Sequence, residues 1–139
     1  MKYEIQKRKS DVEIWTMRLS CCGAKKVCHI PFDLPLHDLC PFILRSFDFD
    51  NDHLHKFFLS KNGQPYSDSS VLLENDNLKV RQLYPMKDKF QLYLLFDFGD
   101  DWVFKITKTL KKPFHDSLIQ KPKVIEAIGE NPEQYPNYD

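Results

Sequence analysis

Two alternating apolar segments on either side of a short polar turn constrain the fold of this chain more than any other feature. The segments run from residue 90 to 98 and from 102 to 110, and Gly99, Asp100 and Asp101 lie between them. Alternation with a period of two is typical of strands, and Gly and Asp are typical of hairpin turns. The sequence therefore predicts an antiparallel β-hairpin with a three-residue turn.

The length of that turn determines which side chains of the two strands share a face. A turn of two residues would place Asp101 and Lys105 among the phenylalanines, because a slip of one residue moves every side chain to the opposite face of a sheet. A turn of three residues keeps one face apolar. The predicted cross-strand pairs on that face are Phe98 with Trp102, Phe96 with Phe104, Leu94 with Ile106, and Phe90 with Leu110.

The segments before residue 50 predict two more strands and a helix. Residues 12–20 and 27–32 alternate between apolar and polar side chains around a polar segment that contains Gly23, so they predict a second hairpin. Apolar residues from 36 to 47 recur at the spacing of one helix face. We expect Pro41 at the start of the regular part of this helix, because proline is tolerated in a first turn and breaks hydrogen bonding further in.

The remaining segments complete a predicted α+β domain. Residues 53–59 alternate and end before Asn62 and Gly63, a frequent hairpin turn pair, which predicts a third strand. Residues 121–128 are compatible with an edge strand or a short helix, and the tail from about residue 129 is expected to be irregular. We expect a single domain over residues 1–139. Its antiparallel sheet of about five strands, in the order β-β-α-β and then the hairpin, packs on one main helix.

Composition excludes several classes of protein. The chain has 20 Lys and Arg against 20 Asp and Glu, so it is neither a strongly basic polyanion-binding protein nor an acidic tail. No apolar run has the length of a signal peptide or of a membrane span. Its four cysteines are too few for a disulfide scaffold, and they lack the C-x2-C spacing of zinc sites. We therefore expect a cytoplasmic protein without membrane association, bound metal or cofactor.

Histidines and carboxylates from two segments form the candidate ligand-binding site. His53 and His55 are two residues apart on a predicted strand, which places both imidazoles on one face. If that strand lies beside the hairpin turn, the imidazoles would meet Asp97, Asp100 and Asp101. Imidazole and carboxylate are common ligands of divalent ions. The alternative is that the histidines form hydrogen bonds within the sheet and that the aspartates only build the turn.

Four lysines after the turn are candidate nucleic-acid contacts. Lys105, Lys108, Lys111 and Lys112 follow one another without an intervening carboxylate. On a common surface they could neutralise several phosphates. The alternative is a solvated surface of mixed charge, which a net charge of zero favours.

Three blocks of sequence together resemble a known family. They are HLHKF at 53–57, FDFGDDW at 96–102 and GENPEQYP at 129–136. In this order and at this separation they are similar to the plasmid pRiA4b ORF-3-like family, whose members include passenger proteins of insertion elements. The resemblance extends from Ile14 to the tail. It implies a small bacterial or archaeal α+β domain, often encoded near mobile elements, with no established activity.

One departure from that family bears on metal chemistry. Members often carry a Glu-His pair after the turn block, where this chain has Val103 and Phe104. This departure argues against metal chemistry. Because a turn, a sheet and mixed surface charge account for most residues without catalysis, the sequence as a whole predicts a non-enzymatic binding or interaction module without catalytic residues, and a protein or a nucleic acid as its partner. The alternative is a metal-dependent hydrolase or nuclease that uses His53, His55 and Asp97 together with Asp100.

Overall fold

The computed structural model describes residues 12–136, so both ends of the predicted domain, 1–11 and 137–139, lie outside the described residues. Within this range, eight strands form one sheet. They are β1 (Glu13–Cys21), β2 (Ala24–Pro31), β3 (His55–Ser60), β4 (Val71–Leu73), β5 (Gln91–Phe96), β6 (Trp102–Lys108), β7 (Phe114–His115) and β8 (Lys123–Ile128). The helix α1 (Leu36–Ser46) and a short 3-10 helix (Val80–Leu83) complete the secondary structure. Neither helix of this described part is long and apolar enough to cross a membrane.

The sheet is antiparallel throughout its described pairs. Its strand order is β4-β3-β5-β6-β1-β2-β8, and β7 pairs with the beginning of β1. The expected α+β class with an antiparallel sheet is confirmed, but the expected number of about five strands is wrong. The strands β4 and β7 have three and two residues, which is too short for an alternating pattern to be visible in the sequence.

The hairpin of β5 and β6 keeps the predicted apolar face with a different register. Phe96 lies opposite Trp102, and Leu94 lies opposite Phe104. The predicted register is therefore wrong by two residues, and the turn comprises residues 97–101. Because side chains alternate with a period of two, a shift of two residues leaves the side chains within β5 and β6 on their predicted faces. It moves Phe98 out of the core and into the turn, where its side chain is 44% exposed. The predicted pair of Phe90 with Leu110 does not form, because both residues lie outside the strands and Leu110 is fully exposed.

The helix α1 is continuous from Leu36, so the expectation that its regular part begins at Pro41 is wrong. The first turn is already formed, because the backbone N–H groups of Asp38 and Leu39 donate to the carbonyl of Pro35. Pro41 has no N–H for the carbonyl of His37 four residues earlier. This carbonyl belongs to an exposed residue, where water can serve as the donor.

The main core lies between α1 and one face of the sheet. The ring of Phe47 packs 5.1 Å from that of Phe104, and Phe49 packs 4.9 Å from Trp102. Phe104 and Ile106 are completely buried, which confirms the prediction that this face of the hairpin points inward. Burying one such side chain contributes roughly 1.5–3 kcal/mol to stability.

A second, smaller core lies on the other face of the sheet. Phe58 and Tyr93 stack with their ring centroids 5.1 Å apart, and Leu95 is buried beside them. The loop of residues 61–70 covers them, since a Cβ added to Gly63 would lie 3.1 Å from the ring of Tyr93. This loop therefore needs glycine at that point, and the sheet is covered on both faces near β3 and β5.

Candidate functional site

The turn at residues 97–101 is built by Asp97. Its backbone adopts a φ of +65°, and its Oδ1 accepts hydrogen bonds from the N–H groups of Gly99 (3.1 Å) and Asp100 (3.4 Å). Its own N–H donates to the carbonyl of Leu54 at 3.0 Å, which ties the turn to the segment that leads into β3. One carboxylate oxygen of Asp97 is thus committed to the turn.

The other carboxylate oxygen of Asp97 faces His53. Asp97 Oδ2 lies 3.4 Å from Nε2 of His53, and Asp52 Oδ1 lies 3.8 Å from the same nitrogen. The hydroxyl of Tyr135 donates to Asp52 Oδ2 at 2.6 Å and lies 2.8 Å from His53 Nε2. Because the single phenol proton goes to Asp52, the bond between His53 and Tyr135 requires Nε2–H of His53 as its donor.

The C-terminal segment closes this cluster. Oε1 of Gln134 accepts from the N–H of Asp50 at 2.7 Å, and its Nε2 donates to the carbonyl of Asp50 at 3.0 Å and to Asp52 Oδ1 at 3.2 Å. Asn131 Nδ2 donates to Asp48 Oδ2 at 3.0 Å. The described tail has no helix or strand, yet Gln134 is only 8% exposed. We call this cluster the tail clasp: residues 48–53 contact residues 131–135, and Asp97 joins them through His53.

The tail clasp shifts two pKa values. The hydrogen bond from Tyr135 is the main reason why the pKa of Asp52 is lowered. The same bond, to a carboxylate acceptor, raises the pKa of Tyr135 to about 12. The hydrogen bond therefore favours a charged Asp52 carboxylate and a neutral Tyr135 phenol, which are the forms present at neutral pH.

The remaining predicted ligands do not join His53 and Asp97. His55 begins β3 and lies 2.7 Å from Asp76 Oδ2 instead. Asp101 accepts a hydrogen bond from Tyr66 at 2.7 Å, and Asp100 is exposed. Across residues 12–136, no group of three or more His, Cys, Asp and Glu side chains is arranged to hold a metal ion.

Carboxylates dominate the end of the sheet where the tail clasp lies. Residues 48–55, 96–102 and 129–136 contain eight Asp and Glu and no Lys or Arg. Hydrogen bonds join the first segment to the other two. The chain therefore has an acidic end although its net charge is zero, and the Lys and Arg side chains that balance this end lie elsewhere.

The four predicted lysines divide between two surfaces. Lys105 pairs with Ser20 on β1, and Lys108 pairs with Met17. The two lysines are three positions apart on β6, so they point to opposite faces of the sheet. Lys105 is exposed on the face away from α1. Lys108 lies at the far end of β6 from the turn, and the exposed Lys111 and Lys112 follow it.

An open pocket of about 650 Å³ lies at this opposite end of the sheet. Its aromatic walls are Trp15, Phe32 and Tyr84. The ammonium group of Lys108 lies 4.9 Å from the ring centroid of Trp15, and the Arg81 guanidinium lies 5.6 Å from that of Phe32. We call it the basic pocket.

Two residues that line the basic pocket, Glu13 and Tyr84, carry polar groups, and only that of Glu13 has a hydrogen-bond partner among the described residues. Glu13, the one carboxylate in its lining, accepts the indole N–H of Trp15 at 3.1 Å. The hydroxyl of Tyr84 is buried and has no hydrogen-bond partner among the described residues. Burial raises the pKa of Tyr84, so this hydroxyl stays protonated and remains a donor.

A family model for plasmid pRiA4b ORF-3-like proteins matches residues 25–134. The chain belongs to the plasmid pRiA4b ORF-3-like family. This confirms the resemblance seen in the sequence. The crystal structure of a protein of unknown function from Methanosarcina mazei Go1 is similar to this family member with a TM-score of 0.66. The two are 20% identical over 86% of this chain and 71% of the other, which shows a shared fold. No curated protein matches the chain.

In this pRiA4b ORF-3-like chain, the three blocks that carry the resemblance meet at the tail clasp. His53 comes from the first block, Asp97 from the second and Tyr135 from the third. From the sequence, a meeting of the first two was only one of two alternatives, and the tail was missed because GENPEQYP has no periodic pattern. The basic pocket was not predicted either. Its residues come from β1, the residue after β2, the 81–91 segment, and the end of β6 with the two residues that follow it.

Proposed function

We propose that this pRiA4b ORF-3-like chain is a non-enzymatic, cytoplasmic binding module that holds a nucleic acid at its basic end. The basic end is the surface formed by Arg81, Lys108, Lys111 and Lys112. The observation that carries this proposal is the separation of charge along the strands. The carboxylates collect around the tail clasp, and these four cations lie at the opposite end of the sheet.

The four cations of the basic end are free to neutralise a partner's charge. Among residues 12–136, none of them forms an ion pair with a carboxylate. A protein that places Lys and Arg against phosphates releases condensed counterions, which favours binding independently of base sequence. The acidic end would repel the same polyanion, so the charge separation also orients the partner. The plasmid and insertion-element context that the family resemblance implies fits such a partner.

The tail clasp supports a structural role more than a catalytic one. A general base or a metal ligand needs a free lone pair, and Nε2, the ring nitrogen of His53 that faces Asp97, carries the proton that it donates to Tyr135. Asp97 Oδ1 already accepts two backbone N–H groups of the turn. Nε2 of His53 could accept a proton or bind a metal ion only after its bond to Tyr135 is broken.

The short distance between His53 and Asp97 keeps the metal-dependent hydrolase or nuclease as the second candidate. Thermal unfolding in the presence of Mn²⁺, Zn²⁺ or Mg²⁺ separates the two functions, because an ion that binds the folded chain raises its unfolding temperature. The binding module predicts no shift. A shift that His53→Ala abolishes would favour the hydrolase.

A salt series tests the nucleic-acid partner. Fluorescence anisotropy of labelled DNA and RNA is measured between about 50 and 200 mM salt, the range over which phosphate contacts weaken strongly. If all four cations contact phosphates, the logarithm of the association constant should fall with the logarithm of the salt concentration with a slope of about −3. Absence of binding at the low-salt limit, or affinity independent of salt, would exclude the proposal.

A further inference from the structure

The basic pocket combines three features of a ligand site. Its volume of about 650 Å³ falls within the range of pockets that hold small molecules. Its walls are aromatic, and aromatic side chains bind flat rings by stacking. Its two cations, Arg81 and Lys108, lie over aromatic rings, and neither forms an ion pair with a carboxylate of the described residues. A flat ring of a ligand could displace Arg81 from Phe32, or Lys108 from Trp15, and stack there instead. The displaced cation would then be available to an anionic group of the ligand.

Tyr84, one of the wall residues, has a buried hydroxyl with no hydrogen-bond partner among the described residues. A buried donor without an acceptor destabilises the free protein, since it has lost its hydrogen bond to water. A ligand with an acceptor on its ring edge would satisfy it if the Tyr84 side chain turned its hydroxyl towards the pocket, because in the free protein that oxygen is closed off from solvent. Glu13 lies in the same lining and repels anions, so an anionic group of the ligand belongs at the rim near Arg81 and Lys108.

We propose that the basic pocket holds one unpaired base of a single-stranded nucleic acid. The base lies between the aromatic walls, and its flanking phosphates contact the cations of the basic end. This inference rests on the proposed function and narrows it to a single-stranded partner. In a duplex the bases are stacked and paired, so they cannot enter a side pocket without being extruded.

The continuation of the chain from the pocket supports this arrangement. Thr109 and Leu110 complete the lining after Lys108, and Lys111 and Lys112 follow directly. A strand that places one base in the pocket would therefore meet further lysines at the rim. This combination of a cationic track with an aromatic platform is how proteins bind single strands without sequence preference.

The test compares a fluorescein-labelled DNA strand of about 12 nucleotides with the duplex of the same sequence. Leu110→Ala combined with Met86→Ala removes two apolar parts of the pocket lining without a change of charge. Leu54→Ala is the matched control, because Leu54 is 74% exposed and precedes β3 at the acidic end. In a Trp102→Phe background, the emission of Trp15 reports directly on the pocket.

The single strand should bind about tenfold more tightly than the duplex, the effect expected for one stacked base. It should also change the emission of Trp15. The double variant should lower single-strand affinity to that of the duplex, and Leu54→Ala should leave it unchanged. Equal affinities for strand and duplex with constant Trp15 emission would overturn the pocket assignment and leave the proposed function standing. Failure of both DNA forms to bind would remove the proposed function as well.

Discussion

The hydroxyl of Tyr135 donates a hydrogen bond of 2.6 Å to the carboxylate of Asp52, although the two residues are 83 positions apart in the chain. The same phenol oxygen lies 2.8 Å from His53 Nε2. This pair joins the C-terminal segment to the loop before β3. It shows that the cluster of histidine and aspartate at the hairpin turn is held together by the tail.

Gln134 should contribute more to stability than an ordinary surface residue. It is 8% exposed and forms three hydrogen bonds with Asp50 and Asp52. We expect Gln134→Ala to lower the free energy of unfolding by about 2 kcal/mol, because it also leaves backbone groups of Asp50 without a partner. Urea denaturation measures this change. The exposed Gln120, changed to Ala, is the control and should differ little from the unmodified chain.

The tail clasp should make stability depend on pH at both extremes. Asp52 has a lowered pKa in the folded chain, so its contribution is present above its unfolded pKa and is lost as the pH falls through the folded value. Tyr135 has a pKa raised to about 12, so its contribution is present below its ordinary value near 10 and is lost between about pH 10 and 12. The midpoint of urea unfolding across pH measures both effects. Tyr135→Phe should flatten both arms of the profile, and a variant with unchanged arms would show that the clasp does not form.

The turn should tolerate Asn and not Ala at position 97. Asp97 has a φ of +65°, and its side chain accepts two N–H groups of the turn. Asn adopts positive φ more readily than other residues with a side chain and keeps an acceptor oxygen, whereas Ala offers neither. We expect Asp97→Ala to cost about 2 kcal/mol of unfolding free energy and Asp97→Asn clearly less. Equal losses in chemical denaturation would show that the charge facing His53, and not the turn, is what matters.

The apolar face of the central hairpin could be predicted from the sequence, and its register could not. Alternation predicts that Leu94, Phe96 and Phe104 all point inward, because side-chain direction has a period of two. The turn begins at Asp97, two residues earlier than expected, because its side chain closes the turn from a positive-φ position. A pattern of apolar and polar residues contains no information about that conformation.

The candidate site was predictable only in part, for a similar reason. The meeting of His53 with Asp97 followed from placing the third strand beside the turn. His53 precedes β3, however, and His55 is its first residue, so the rule that residues two apart share a face does not apply to them. The basic pocket combines residues from Trp15 to Leu110 that no local pattern connects.

Charge-matched variants show whether a nucleic acid binds at the basic end. Lys111→Gln with Lys112→Gln removes two charges from the basic end, and Lys25→Gln with Arg45→Gln removes two exposed charges that lie outside it, on β2 and in the last turn of α1. The measurement is the anisotropy salt series with a labelled single strand. We expect the first variant to bind more weakly, with a salt slope smaller by about 1.4, which corresponds to two lost phosphate contacts. The second variant should bind like the unmodified chain. Equal effects of the two variants would contradict the assignment of nucleic-acid binding to the basic end.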